Sequence, residues 1–471
     1  MRSPIILFGL LLSFSLAAQQ KWTIQQCLQR AEDKNLNVRD AQLNAELADR
    51  AHDQAFWSML PSLNAGGTHG YNWGKTIDRF TNTFATDRVR TNNFWLGSDL
   101  SIYEGGRKRN TLKRTDLDEQ AALKGLDASR NDVRTEVVRG FLNVLGLRER
   151  VTAAEAQLGN TREQVSRMEA LVDAGRSARV ELLDLNAQLA SDEFNLINLR
   201  NQEEQALLQL GQSLRLEPAE QSGFMIEAPP IGTLSITEPV AKEEEVLANV
   251  LASNPAYAQA ELSVQSADRG VSVARAGAMP SLALSASAGT GYSGRNIEAV
   301  GEPVISQTPI GITQGGETVF APSFDYDTQT RPFGKQLDDN LNESVSLTLS
   351  VPIFNQKQNS LAADRARIEH EQAKNRVESQ RQSLQRDVQN ALVAQRNAYR
   401  QYESARKSVE ASEASLQFAL ERFTQGVITA IEMNTARVRA QQATADLINA
   451  KYSYLMAQKS LDILQGIPVS L

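Results

Sequence analysis

Cysteine is almost absent. Cys27 is the only one in 471 residues, so no intrachain disulfide can form. It also sits too far from the cleavage site expected near Ala17 or Ala18 to serve as a lipoprotein cysteine, and is expected to be a small buried apolar residue. Histidine is scarce: His52, His69 and His370 lie far apart, with no HExxH or paired Cys/His spacing, so no metal or other cofactor is expected. Basic clusters are missing from a chain of net charge −7, which argues against a nucleic-acid partner. Aromatic residues make up 6% and mean hydropathy is −0.37, values that by themselves suggest a soluble, polar helical protein. No catalytic triad or phosphate loop is present, so the chain is not expected to be an enzyme. The one literal GxGxxG, "GTGYSG" from Gly289, runs into a Gly/Pro/Thr-rich stretch rather than the helix that dinucleotide binding requires.

Long apolar runs are lacking everywhere except the N-terminus. There "MRSPIILFGLLLSFSLAAQQ" has Arg2, an apolar core from Ile5 to Leu16, and small residues at Ala17 and Ala18. This predicts a signal peptide over 1–18 and an exported chain with no helical anchor.

What the sequence has in plenty is itself, twice. "NLNVRDAQLNAELADRAHDQAFWSMLPSL" from Asn35 aligns without gaps on "NPAYAQAELSVQSADRGVSVARAGAMPSL" from Asn254. At a second constant offset, "SIYEGGRKRN" from Ser101 falls on "PIFNQKQNS" from Pro352, and Gly175 and Glu181 fall on Gly426 and Glu432. The offset changes only between the two strands of each half, where the second copy has the longer loop. The expected segments are a first repeat over 19–210, a connection over 211–240, a second repeat over 241–462 and a tail over 463–471.

Each repeat reads as short helix, helix, strand, loop, strand, very long helix, turn, helix. The strands are expected at about 63–73, 93–103, 281–292 and 344–354. Each alternates apolar and polar residues; in the last, Val345, Leu347, Leu349, Val351 and Ile353 share one face, with serines and Thr348 on the other. About ten residues suffice for a tilted strand to cross a bilayer. Tyr71, Trp73, Phe94, Trp95 and Tyr292 fall towards the loop ends, where an aromatic girdle would sit. Four strands cannot close a barrel, and open edges are not tolerated in hydrocarbon, so copies must combine; three chains give twelve strands. The stretch from 293 to about 340 reads as a long surface loop.

The long helices are expected over about 104–174 and 355–425, each roughly 100 Å long at 1.5 Å per residue. Their apolar stripes are narrow, as in Leu384, Val388, Leu392 and Tyr399, which suits side-by-side packing rather than a thick core.

Taken together, the Pro-Ser-Leu strand starts, "SIYEGGR" and "VPIFNQKQ" at the strand–helix junctions, and "DAGRSARVELLDLNAQL" and "TQGVITAIEMNTARV" at the helical turns resemble the TolC-like outer-membrane efflux proteins over nearly the whole mature chain. The resemblance implies an α+β membrane protein: a homotrimer whose 12-stranded β-barrel sits in outer-membrane lipid of a Gram-negative bacterium and continues as a long periplasmic α-helical barrel. It implies a passive duct of a tripartite efflux or type I secretion system, opened when a periplasmic adaptor and an inner-membrane pump dock. On this reading Val345, Leu347, Leu349, Val351 and Ile353 face lipid. Gly175, Arg176, Gly426, Val427, Ile428 and Ile431 form the adaptor-docking tips, and Glu181, Asp184 and Glu432 are candidates for an acidic ring at the periplasmic gate. The second repeat departs from the pattern, with Thr435 where the first has Asp184 and Ile428 in place of a polar residue. The competing expectation is a periplasmic coiled-coil scaffold without a pore. The identity of the cargo is not legible in the sequence.

Overall fold

The computed structural model describes residues 21–86, 88–229 and 236–469. The expected signal peptide lies outside them, as do the last two residues of the tail. In the first repeat, β1 (Lys21–Trp22), α1 (Ile24–Lys34) and α2 (Leu36–Trp57) lead to β2 (Ser62–Asn72). A small hairpin follows, β3 (Thr76–Ile77) and β4 (Phe84–Ala85), and then β5 (Val89–Glu104), α3 (Arg107–Asp173) and α4 (Arg179–Ser213). The connection holds α5 (Pro218–Gln221) and β6 (Met225–Ile226). The second repeat runs α6 (Glu243–Ser253), α7 (Pro255–Ala276), β7 (Ser281–Ser293), β8 (Ile297–Ile312), β9 (Thr318–Thr330), α8 (Phe333–Asp339), β10 (Asn342–Ser350), α9 (Gln358–Thr424) and α10 (Ala430–Leu464). Equivalent helices match residue for residue: α3 and α9 have 67 residues each, α4 and α10 have 35, α2 and α7 have 22, and α1 and α6 have 11. No helix among the described residues is long and apolar enough to cross a membrane.

The chain divides into two compact units. One comprises the chain up to Asp49, Leu117–Gln265 and Glu371 onward. Its apolar contacts form several small clusters strung along the helices, as narrow stripes dictate. The largest gathers Cys27, Val137, Phe141, Leu142, Leu210 and Ile226. Cys27 is fully buried there, and burial pushes its thiol up to about 12, so it stays protonated and inert. β1 pairs with β6 in parallel, and Arg148 of α3 donates to the Ile226 carbonyl at 2.9 Å, which fixes the connection against the long helix.

The other unit, Arg50–Asp116 and Ser266–His370, holds an antiparallel sheet of order β10-β7-β5-β2. Residues opposite each other on neighbouring strands share a face. Leu96 lies opposite Ala65 and Ala288, and Leu347 opposite Leu284, which in turn lies opposite Leu100. The apolar faces of all four strands therefore coincide. Asn64, Gly97, Ser287 and Ser346 lie on the other face, where the Ser287 and Ser344 hydroxyls are 2.9 Å apart and Ser285 donates to Asp99 at 2.7 Å. The outer edges of β2 and β10 carry no partner strand within the sheet.

Three details differ from the sequence expectation. The second strand is longer than 93–103, extending to Val89–Glu104 with a bulge between Ser101 and Tyr103. β10 stops at Ser350, so Val351 and Ile353 lie beyond it; Pro352 has no N–H to donate to a ladder there. The stretch from 293 to 340 is not a loop but the β8–β9 hairpin followed by α8. Pro303, Pro309 and Pro322 conceal it from a pattern search, yet a two-stranded ribbon has free edges that tolerate proline.

Candidate functional site

The apolar face of the sheet is bare. Leu63, Val345, Leu347 and Leu349 are 72%, 76%, 61% and 66% exposed. Aliphatic side chains in alternating register, with a hydroxyl-rich face behind them, suit hydrocarbon on one side and water on the other. Val351 and Ile353 are exposed too, on the turn into α9 rather than on the strand. Tyr292 does not join an exposed girdle. It is buried, with the Arg90 guanidinium 4.7 Å from its ring centre and Phe333 of α8 at 5.3 Å.

At one end of the sheet, Asp78, Ser293 and Gln336 form a buried polar node that the sequence pattern did not flag. Asp78 accepts from the backbone N–H groups of Phe80 and Thr81, both at 2.9 Å, and from the Ser293 hydroxyl. Gln336 accepts from the Ser293 N–H at 3.0 Å and donates to the Ser293 carbonyl at 3.1 Å. The node binds the β3–β4 hairpin and α8 to the end of β7. Burial alone would raise the Asp78 carboxyl, but its hydrogen bonds outweigh that and hold it below the usual range.

At the strand-to-helix junctions two residues in succession take positive φ: Gly105 and Gly106 in the first repeat, Gln356 and Lys357 in the second. Lys108 donates to the Ser58 carbonyl at 2.6 Å, and Asn359, its repeat equivalent, donates to the Gly277 carbonyl at 2.6 Å. Both junctions thus hold the start of a long helix to the end of the preceding short one.

The helical turns are built alike. Gly175 (φ +70°) and Gly426 (φ +73°) each close a Schellman turn. In the first, the Arg176 N–H reaches the Leu171 carbonyl at 2.8 Å; in the second, the Val427 N–H reaches Arg422 at 2.9 Å. The helices that follow begin differently. Thr429 caps α10 in a capping box, its N–H donating to Glu432 at 2.9 Å, and this bond holds the Glu432 carboxyl below its usual range. Ser177 donates to Glu181 at 2.5 Å. Glu181 and Glu432 are thus each engaged at their own helix start. Asp184 is exposed and lines a cleft of about 570 Å³ with Gln188, Ile431, Asn434, Thr435 and Arg439. Of the expected tip residues, Gly175, Arg176, Gly426, Val427 and Ile431 are exposed. Ile428 is not: it packs with Leu420, Phe423 and Met433 in a cluster that also takes in Val165, Met168 and Leu185. A branched apolar residue one turn from that cluster gains more by burial than by facing water. Val180 and Leu183, at 61% and 59% exposure, add to the apolar tip surface.

Above the tip cluster lies a buried polar layer. Asp192 accepts from Thr161 at 2.6 Å and from Gln188 at 2.7 Å. Arg437 is 2% exposed, reaches the Met433 sulfur at 3.2 Å, and has one guanidinium nitrogen without a hydrogen-bond partner. Burial lowers its pKa, and the Asp192 charge opposes that. Asn186 and Ala443 stand at the equivalent positions of the other repeat, so this layer exists once per chain; comparing the halves position by position would have flagged it. Replacing Asp192 with alanine leaves Arg437 buried without a counter-charge and is expected to cost about 3 kcal/mol. Making Arg437→Met together with Asp192→Ala, which removes both charges, is expected to be close to neutral. Thermal dissociation of the purified protein separates the two outcomes.

A bare apolar sheet face with a hydroxyl-lined reverse, continued in sequence by 67-residue helices that turn back on Schellman glycines, defines an outer-membrane channel protein. The comparisons agree. The family profile described as "Outer membrane efflux protein" matches residues 27–214 and 246–466, and the chain belongs to that family. It is 24% identical to the Outer membrane protein TolC of Escherichia coli K12, covering 98% of this chain and 85% of TolC. It is also 24% identical to the Alkaline protease secretion protein AprF of Pseudomonas aeruginosa, over 87% of this chain and 77% of that one. Among solved structures, the outer membrane protein VceC of Vibrio cholerae superposes with a TM-score of 0.74 at 14% identity, covering 95% and 97% of the two chains. The open state of the MtrE outer membrane channel of Neisseria gonorrhoeae gives 0.70 at 20% identity, covering 94% and 89%. The protein resides in the outer membrane of a Gram-negative bacterium.

Proposed function

We propose that three chains close their sheets into a twelve-stranded barrel in outer-membrane lipid, and that their long helices continue it as a tube through the periplasm. The complex is a passive export duct that a periplasmic adaptor and an inner-membrane pump open by docking. The observation that carries this reading is the sheet itself: its apolar face is bare, its reverse is hydroxylated, and both its edges are unpaired. Water-filled and lipid environments on opposite faces satisfy every strand, and a ring of chains satisfies the edges.

Val180, Leu183, Val427 and Ile431 present the apolar tip surface for an adaptor, carried on the rigid Schellman turns at Gly175 and Gly426. Three copies of Asp184, with Glu181 three residues before it and Glu432 next to Ile431 of the same cleft, supply an acidic lining at the narrow end and favour cations. The names of the relatives, one a TolC and one a protease secretion protein, support an export role without choosing the cargo.

Single-channel recording in planar bilayers tests the reading. The expected result is a pore whose cation preference falls when Asp184 is replaced by asparagine in every chain. Purified, membrane-inserted protein that never conducts, even with the tips removed by proteolysis, would overturn it.

A further inference from the structure

Among the aromatic residues near the strand ends, Trp95 stands apart. Phe94 and Trp95 are consecutive in β5, so their side chains leave opposite faces of the sheet. Phe94 shares the apolar face with Leu96 and Leu100. Trp95 lies opposite Gly66 of β2 and Gly289 of β7, on the hydroxylated face with Gly97 and Asp99. Consider that face from Thr91 to the bulge at Ser101, with the stretches of β2, β7 and β10 alongside. It carries one aromatic residue, Trp95, and one charged residue, Asp99; every other position is Ser, Thr, Asn, Ala or Gly.

Glycine makes room for the indole. A Cβ on Gly66 would stand 2.5 Å from the Trp95 Nε1, and one on Gly97 would stand 3.6 Å from its Cζ3. The ring therefore lies across Gly66 and reaches Gly97, and a side chain at Gly66 would push it off the wall. Close as it is to the strands, the residue remains 48% exposed, on the side that the proposed tube makes its bore. A tryptophan that only filled space would be covered.

We infer that Trp95 is a stacking platform for cargo. In the assembled duct, three indoles and three Asp99 carboxylates form a binding zone for planar aromatic cations. The inference deepens the proposed duct and rests on it. An exposed π face holds flat ring systems by stacking and cations by attraction to the ring quadrupole. Hydroxyl and amide neighbours offer neither. Asp99 stands four residues along the same strand, about 13 Å away, and adds negative charge. Its carboxylate accepts from Ser285 at 2.7 Å and is exposed. No lysine or arginine on the same stretch of wall opposes it. Flat, positively charged cargo thus finds two matching partners there. Anionic or purely aliphatic cargo finds none.

Open-channel block in planar bilayers tests this with the full-length protein. Two cations are added on the barrel side: ethidium, planar and aromatic, and tetraethylammonium, of the same charge but without a ring. The readout is the ratio of their blocking constants, because the acidic lining proposed at the helical tips acts on both through charge. Wild-type channels are expected to bind ethidium at least ~10-fold more tightly. Trp95→Leu keeps apolar bulk without a π face and is expected to lower that preference ~10-fold, whereas Trp95→Tyr retains most of it. Asp99→Asn is expected to weaken block by both cations alike. Equal block by the two cations in wild-type channels would overturn the inference, whether or not the variants assemble. An unchanged ratio in Trp95→Leu channels would overturn it too, and in both cases the duct still stands. Wild-type protein that forms no conducting pore would overturn the duct reading, and this inference with it.

Discussion

Replacing Leu347 with arginine is expected to empty the outer membrane of assembled protein. Leu347 lies mid-strand in β10, opposite Leu284, on the bare apolar face and 61% exposed. An arginine at bilayer mid-depth on a barrel's lipid face costs about 2–4 kcal/mol, and three chains multiply that to about 6–12 kcal/mol. The neighbouring Thr348 points to the opposite face. Thr348→Arg is expected to assemble to wild-type levels and to alter conductance instead, because the lumen accommodates charge. Membrane fractionation with heat-modifiable gel mobility reads both variants. Loss of Thr348→Arg with normal assembly of Leu347→Arg would show that the faces are assigned the wrong way round, and equal assembly of the two would show that neither face meets lipid.

The second large effect is expected at Gly105. Its φ of +61° suits glycine, and a Cβ there would stand 2.4 Å from the Met279 Cβ and 2.8 Å from the Ala276 carbonyl oxygen. Left-handed backbone costs a non-glycine residue about 1–2 kcal/mol, and the overlap with a side-chain root and a backbone oxygen cannot be relieved by rotating a side chain. Gly105→Ala is therefore expected to cost at least ~3 kcal/mol, read as a fall in the thermal dissociation midpoint. Gln356 occupies the equivalent position at φ +57° with its side chain in place. Gln356→Gly should thus stabilise by about 1 kcal/mol. If both changes were neutral, the junction would not be the rigid corner described above.

Much of this architecture was open to reading because it is written twice. Strand alternation in "SVSLTLSV", the paired glycines at the helical turns and the constant offsets each carry a local physical rule, and their agreement fixes the plan. Helix ends were legible to within a few residues: Gly175 and Gly426 bring their own backbone geometry. The places where the structure departs from the sequence pattern share another trait. Its position at the turn makes Ile428 a docking candidate, but which side of a turn packs inward is decided by residues far away, such as Met168 and Leu185. Its place at a strand end suggests an interfacial role for Tyr292, but α8, which packs against it, lies in a stretch whose prolines and glycines hide secondary structure. The β8–β9 hairpin has no buried residue and stands where the first repeat has only the two-residue strands of β3 and β4, so neither periodicity nor comparison of the halves betrays it. Asp78, Ser293 and Gln336 come from three separate segments, and no spacing rule joins them. The strand faces, by contrast, needed only alternation. At the tips, Glu432 was legible as an acidic residue but not as half of a capping box, although the Thr429–Glu432 spacing carries that signal.

The unpaired edges of β2 and β10 are the reason for placing several chains in one barrel, so the count of chains tests the account most directly. The measurement is the native mass of the full complex extracted from outer membranes in mild detergent, corrected for bound detergent. The account predicts a single species of about three chain masses. A monomer, recovered in the soluble periplasmic fraction with its apolar sheet face somehow kept in water, would contradict it.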